Sequence, residues 1–250
     1  MRILFIWFLY SLALSIGLAL KGFRSPSASA RKTGEKRDAP KKILIVGATG
    51  GTGRQLVLQA LERGLAVTAL AREPAKLGIE HPNLRIVQGD VLDYAAVEAA
   101  VKGQEAVVSA LGHKRYFGPS RILSEGTRNI LRAMEAHGVR RFICQTSLGI
   151  GDSAGRMGIY YTFIVCPLVV PFYFWDKTRQ ERLIAESKLD WVIVRPGQLT
   201  NGEKRGAIRH GAEIGNYLFT VSISRADVAG FILNQLTDDY YLGTAVGVCW

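Results

Sequence analysis

The sequence predicts an α/β fold, a doubly wound parallel sheet with helices on both faces, and three observations predict it. First, the apolar run Ile43–Val46 leads at once into the glycine-rich turn of GATGGTGR, and a helical pattern follows with Leu56, Val57, Ala60 and Leu61 on one face. Second, short apolar runs alternate with helical patterns from there to Leu236, the signature of strands joined by crossover helices. Third, 250 residues at 48% hydrophobic content suffice for one full core, and no internal repeat or second core is visible.

The chain opens on Ile3–Leu20, eighteen residues without a charge. As a helix rising 1.5 Å per residue this segment is about 27 Å long, close to the hydrocarbon thickness of a bilayer. Two readings stay open for residues 1–20. Arg2 ahead of the run and Ala28-Ser29-Ala30 behind it fit a signal peptide cleaved near Ala30. The run is longer than a signal core, however, and Lys21 and Arg24 intervene before Ala30, which favours an uncleaved hydrophobic membrane anchor. The positive charge behind the span then places the catalytic domain in the cytoplasm. Residues 21–42 are basic and rich in Ser and Ala, so they read as a flexible linker with a reach of roughly 25 Å. The segment 43–250 is the folded domain.

Charge distribution narrows the partners. Residues 1–42 carry nine Lys/Arg against two acids, so +7 of the net +11 resides there and the other 208 residues hold only +4. The folded part lacks a concentrated basic stripe, which argues against nucleic acid, while the linker suits an anionic membrane surface. The three cysteines (Cys144, Cys166, Cys249) make no C-x-x-C pair, and His81, His113, His137 and His210 show no metal-ligand spacing. No metal is expected.

Strands are expected at Ile43–Val46, Ala66–Leu70, Leu84–Val87, Ala106–Ala110, Phe142–Gln145 and Trp191–Val194. Helices are expected near Thr52–Arg63, Tyr94–Val101, Ser120–His137, Lys177–Ser187 and Arg225–Leu236. Gly138 follows the third helix as a C-cap, and Ser224-x-x-Asp227 caps the start of the last.

The glycine turn carries the functional signal. Strand, glycine turn and helix together set a diphosphate on a helix N-terminus. Gly47 permits the tight exit from the strand, Gly50 and Gly51 let the backbone approach phosphates, and Gly53 lets the helix pack on the sheet. Thr49 and Thr52 offer hydroxyls, and Arg54 stands one residue beyond. Cofactor choice is written at the end of the second strand, where an acid suits the ribose hydroxyl of NAD and an arginine suits the 2′-phosphate of NADP. Arg72 occupies that place, so NADP is favoured; Glu73 beside it keeps NAD possible if it turns inward. Asp90 and Val91 after the third strand border the adenine, and Leu111 and Gly112 after the fourth offer a close backbone on the nicotinamide side.

In order along the chain, GATGGTGR, LAREPAKL, VQGDVLD, EAVVSALG, EGTRNILRAMEAHGVRRFICQTSLG and ESKLDWVIVRPGQL resemble the atypical short-chain dehydrogenase/reductases with an NAD(P)H-binding domain, in particular NmrA-like proteins and the biliverdin-IXβ/flavin reductases. The resemblance spans about Lys41 to Tyr241. It implies a Rossmann fold, an NADP preference, and hydride transfer to a lipophilic flavin-, tetrapyrrole- or quinone-like acceptor. It also implies that Ser147 and the loop Arg195-Pro196-Gly197 border the nicotinamide. Lys177 stands where the flavin reductases carry a histidine. The broader family's Ser with Tyr-x-x-x-Lys, whose tyrosine donates a proton, has a counterpart in Ser147, Tyr173 and Lys177, and the resemblance implies catalytic roles for these three. A non-catalytic NAD(P)-binding sensor or assembly factor with a protein partner is the alternative, and an epimerase or dehydratase with bound NAD a weaker third.

One stretch stands apart. Met157–Trp175 is nineteen residues without a charge, interrupted by Pro167 and Pro171. A single crossing there would put the sixth strand on the wrong side of a membrane, so the stretch is expected to be a buried helix and loop, a lid over the substrate, or a segment dipping into a bilayer.

Overall fold

The computed structural model describes residues 37–113 and 118–250, together with Leu4, Phe5, Phe8, Leu9, Leu12 and Ile16. The apolar segment 1–20 and the linker therefore lie mostly outside the described residues. The end of the linker is already part of the fold: Arg37 donates to Asp239 (2.8 Å) and to Asp190 (2.9 Å).

Strands β1 (Lys42–Val46), β2 (Ala66–Ala71), β3 (Leu84–Gln88), β4 (Ala106–Ser109), β5 (Arg141–Gln145) and β6 (Asp190–Pro196) are the six expected. Three short ones follow, β7 (Gln198–Thr200), β8 (Arg209–Gly211) and β9 (Ser222–Ser224), and then β10 (Thr244–Cys249). The main sheet runs β3-β2-β1-β4-β5-β6-β10-β8. All its pairings are parallel except β10 with β8, which is antiparallel. β7 and β9 pair separately. The order reverses beside β1, and this is the switch point at which a doubly wound sheet opens a crevice.

Period two on each strand sends alternate side chains to opposite faces. Ile43 and Ile45 pack with Leu56, Val57 and Ala60 of α1 (Gly51–Glu62) and Val228 and Ile232 of α5 (Arg225–Asn234). Leu44 and Val46 pack instead with Val97 of α2 (Tyr94–Val101), Ile130 and Met134 of α3 (Ile122–Ala136) and Ile184 of α4 (Pro171–Glu186). Both faces of the sheet are thus covered, which explains the near-continuous apolar strands.

The expected caps form. Gly138 has φ +68°, Val139 N–H donates to the Met134 carbonyl (2.9 Å), and Gly138 N–H donates to that of Glu135 (3.4 Å), the two bonds of a Schellman end. The Ser224 hydroxyl accepts from Asp227 N–H (3.0 Å). Helix α4 begins at Pro171, earlier than the expected Lys177, because proline at the first helical position has no N–H to leave unpaired. A π-helical segment, Tyr161–Val169, precedes it and contains Pro167.

The stretch Met157–Trp175 is therefore split between two elements, and much of its surface faces outward: Ile159, Tyr160, Phe163, Ile164 and Val169 are exposed. A wholly buried helix is excluded. Among the described residues no helix is long and apolar enough to cross a membrane.

Candidate functional site

A cavity of about 520 Å³ opens along the carboxyl ends of the parallel strands. Its centre is the β1–α1 turn. Gly47 has φ +84°, and a Cβ there would stand 2.6 Å from the Ala110 carbonyl oxygen. A Cβ on Gly53 would stand 2.0 Å from the Gly47 carbonyl, so the turn and helix close only on glycine at both places. Gly47, Thr49, Gly50, Gly51 and Thr52 line the cavity. Gly53 lies behind them as the packing residue. Gly50 is the N-cap of α1, and no side chain caps that helix, so its first N–H groups face the cavity end of the dipole.

On the β2 side, Arg72, Asp90 and Val91 line the cavity. Arg72 Nη1 lies 4.0 Å from Asp90 Oδ2, and Arg72 is 69% exposed, leaving its guanidinium available to an incoming anion. Asp90 Oδ1 accepts from Leu92 N–H (2.9 Å), which orders the loop after β3. Glu73 does not line the cavity; it turns outward and accepts from Lys76 Nζ at 2.7 Å. The hydrogen bond and charge of Lys76 hold its carboxyl below the usual range.

On the β4 and β5 side the lining includes Leu111, Gly112, His113, Ile122, Gln145 and Tyr173. The Tyr173 hydroxyl lies 3.5 Å from where a Gly112 Cβ would be, so the phenol packs beside this glycine at the cavity. His113 meets Tyr173 edge-on, with ring centroids 4.9 Å apart.

The expected catalytic trio does not assemble here. Tyr173 faces the cavity. Lys177, one turn on, is buried, with Nζ 5.2 Å from the Tyr173 ring centroid, so it stands beneath the ring instead of in the cavity. Ser147 is outside the lining because its hydroxyl is bonded to the Leu148 carbonyl (3.0 Å) where the chain turns away at Gly149, φ +91°. Two cofactor residues are displaced as well. Arg54 is turned to the carbonyls of Leu77 and Gly78 and does not line the cavity. Pro196 is buried at the end of β6, where its carbonyl accepts from Leu148 N–H (3.0 Å) and braces the loop after β5. Arg195, expected beside the nicotinamide, is likewise structural. It is buried against Glu181, with Nη2–Oε2 at 2.6 Å and Nε–Oε1 at 3.0 Å. Burial opposes its charge, but Glu181 and Asp152 outweigh that and raise its pKa.

Three polar lining residues escaped the sequence reading. Arg225, first residue of α5, reaches over the glycine turn: its Cδ and Nε lie 2.6 Å from where a Gly51 Cβ would be, and its Nη1 donates to Asn201 Oδ1 (2.6 Å). Its one available signal was adjacency to the Ser224 cap, which fixes where α5 starts. His113 and Gln145 carry no motif at all.

A family model described as NAD(P)H-binding matches residues 47–239. The chain belongs to the NAD(P)H-binding family. This bears out the resemblance to the atypical short-chain dehydrogenase/reductases. An uncharacterized chloroplastic protein of Arabidopsis thaliana is 32% identical over 229 residues, covering 88% of this chain and 81% of that one. A 3-diazoavenalumate denitrifying reductase of a Streptomyces species is 32% identical over 188 residues, 68% of this chain and 60% of its own. Among solved structures, the anaerobillin reductase ChuY of Escherichia coli O157:H7 superposes with a TM-score of 0.67 at 25% identity, covering 83% of this chain and 96% of that one.

The membrane expectation is corrected by these findings. The Arabidopsis relative, matched over most of its length, is named as chloroplastic, and no helix among the described residues is of membrane length. The notion of a membrane-anchored protein with a cytoplasmic catalytic domain is abandoned.

Proposed function

We propose that this protein is an NADPH-dependent reductase that passes hydride to a lipophilic flavin-, tetrapyrrole- or quinone-like acceptor. The observation that carries the NADP preference is the pairing at the end of β2: Arg72 stands in the cavity while Glu73 is engaged outside it by Lys76. The chemistry of the donor set fits the cofactor. Two glycines admit no Cβ beneath the diphosphate position, an uncapped helix N-terminus faces it, and Arg72 and Arg225 supply cations on either side. When bound, NADPH supplies the hydride.

This chain's residues do the rest. Gly47–Thr52 and Arg225 hold the diphosphate, and Arg72 and Asp90 hold the adenosine end. Tyr173, backed by Lys177, directs its hydroxyl at the far end of the cavity, where it donates a proton to an acceptor that needs one. A flavin acceptor makes no such demand, so the reading does not depend on the trio. A related reductase in Streptomyces and the E. coli anaerobillin reductase lend support by likeness.

The displacement of Ser147 favours a second reading, a sensor that binds NADP(H) and a partner protein without turnover. One experiment separates the two. Purified protein is mixed with NADPH or NADH and a panel of flavins, tetrapyrroles and quinones, and cofactor oxidation is followed. Oxidation of NADPH well above NADH, reversed in preference by Arg72→Asp, supports the reductase. Tight NADPH binding with no oxidation by any acceptor selects the sensor.

A further inference from the structure

Two stretches without a charge, residues 157–175 and 214–224, are folded against each other. Met157 bridges to Asn216, Asn216 N–H donates to the Arg156 carbonyl (2.8 Å), and Ile159 N–H donates to that of Leu218 (3.4 Å). The approach needs glycine: a Cβ on Gly158 would stand 2.6 Å from the Phe219 carbonyl carbon. Asn216 Oδ1 accepts from Leu218 N–H (2.7 Å) and from Phe219 N–H (2.9 Å), so the loop is held by its own backbone while its apolar side chains face outward. Together the stretches expose Ile159, Tyr160, Phe163, Ile164, Leu218 and Phe219, each between 46% and 72%. The charges that precede the two stretches, Arg156 and Glu213, pair with each other (2.9 Å). An apolar surface gathered in this way marks a contact for an apolar ligand or partner.

Its roots say what covers it. The first stretch runs into α4, whose Tyr173 lines the cavity. The second runs into β9, which pairs with β7, and Leu199 of β7 lines the same cavity. Gln198 N–H donates to the Val221 carbonyl (2.9 Å), two residues beyond Phe219. The apolar surface is therefore continuous with the cavity that takes the acceptor. It offers burial and no charge, which suits hydrocarbon. We propose that it seats an apolar tail of the acceptor. The acceptor is then an amphiphile whose reducible head enters beside Tyr173, while its prenyl or alkyl chain lies outside across Phe163 and Phe219. The inference deepens the reductase reading above and rests on it.

Two quinones with the same ring test it: ubiquinone-0, which has no tail, and decylubiquinone, which carries a ten-carbon chain. Binding of each to the full chain saturated with NADP is measured calorimetrically. The wild-type protein is expected to bind the tailed quinone at least about tenfold more tightly, the worth of burying two methylenes. Phe163→Ser combined with Phe219→Ser should bring the two quinones within about threefold of each other. Both side chains are exposed, so the fold does not need them, and an unchanged affinity for NADP reports that the variant is folded. Equal binding of the two quinones by the wild type, binding of neither, or a preference that survives the double substitution overturns the tail seat. So does loss, in the double variant, of self-association or of flotation with phosphatidylcholine vesicles, which would give the surface to a second copy or to a bilayer. The reductase reading fails separately, if the tail preference stands but neither these quinones nor any other acceptor of the panel oxidises NADPH.

Discussion

Asp176 of α4 caps the start of α3 through Ser124. Its carboxylate accepts from Ser124 N–H (3.1 Å), from Leu123 N–H (2.9 Å) and from the Ser124 hydroxyl, and it is fully buried. A helix N-terminus is thus closed by a side chain from a neighbouring helix, 52 residues away in sequence. The same helix α4 presents Tyr173 to the cavity, and α3 contributes Ile122. Asp176→Ala leaves two buried N–H groups unpaired and is expected to cost about 3 kcal/mol of stability, read by denaturant unfolding. Asp176→Asn keeps one acceptor and should cost less. If Asp176→Ala unfolds at the wild-type midpoint, the cap contributes nothing.

Arg225 and Arg72 face different parts of the cavity, so their loss should differ in kind. Arg225 lies against Gly51 of the diphosphate turn, a region common to both nicotinamide cofactors. Arg225→Ala should weaken NADPH and NADH binding alike, each by about tenfold, the worth of one charge-assisted hydrogen bond. Arg72→Ala should weaken NADPH by a similar factor and leave NADH nearly unchanged. Titration of the four combinations checks this. A selective loss of NADPH in Arg225→Ala would move Arg225 to the 2′-phosphate.

Asp227 gives the fold an acid-sensitive joint. Burial works against its charge. That is outweighed by N–H donation from Arg205 (3.0 Å) and Gly206 (2.9 Å), by the Trp250 indole (2.8 Å) and by the Ser224 hydroxyl, which together hold its pKa below the ordinary value. A depressed folded pKa contributes stability that is present above the unfolded value, about 3.9, and is lost as pH falls through the folded one. Asp227→Asn should therefore be destabilising at neutral pH, and the gap to wild type should narrow in acid below that value. Thermal unfolding across pH measures it; a gap that stays constant would show that the charge is irrelevant.

The thiols should be inert in the native protein. Burial pushes both Cys144 and Cys166 up to about 12, so only about one in ten thousand of each is thiolate at pH 8. Mass spectrometry after alkylation should find neither labelled until the chain is unfolded. Rapid native labelling of Cys144 would mean that the sheet face covered by α4 opens.

Much of this was legible in local sequence. The apolar run Ile43–Val46 and the helical spacing of Leu56, Val57, Ala60 and Leu61 announced a strand and helix, and Gly47 and Gly53 announced the turn between them. Gly138 and Ser224 marked helix ends, because caps are made by residues within one turn of each other. Strand β10 carries no equally plain mark, as Gly247 interrupts its apolar run. The polar strand β8 is held at the sheet edge by β10 alone. The run DKTRQE reads as a solvated helix face, yet Asp176, Lys177, Gln180 and Glu181 are buried, each set among groups from α3, β5 or β6 or against Tyr173.

The sequence by itself determined the α/β architecture and the phosphate turn, since both arise from the periodicity and backbone freedom of neighbouring residues. Only the tertiary structure decided which side chains meet in the cavity. It brought Arg225 onto Gly51 from the far end of the chain and buried Gln145 at the end of β5. It also turned Arg54 and Ser147 to nearby carbonyls and set Lys177 beneath Tyr173. Those outcomes depend on how strands far apart in sequence come to lie side by side in β1, β4 and β5, as in the pairing of Val46 with Ser109 and of Ser109 with Cys144. No local pattern encodes that adjacency, because it is set by the packing of the whole sheet between its two layers of helices.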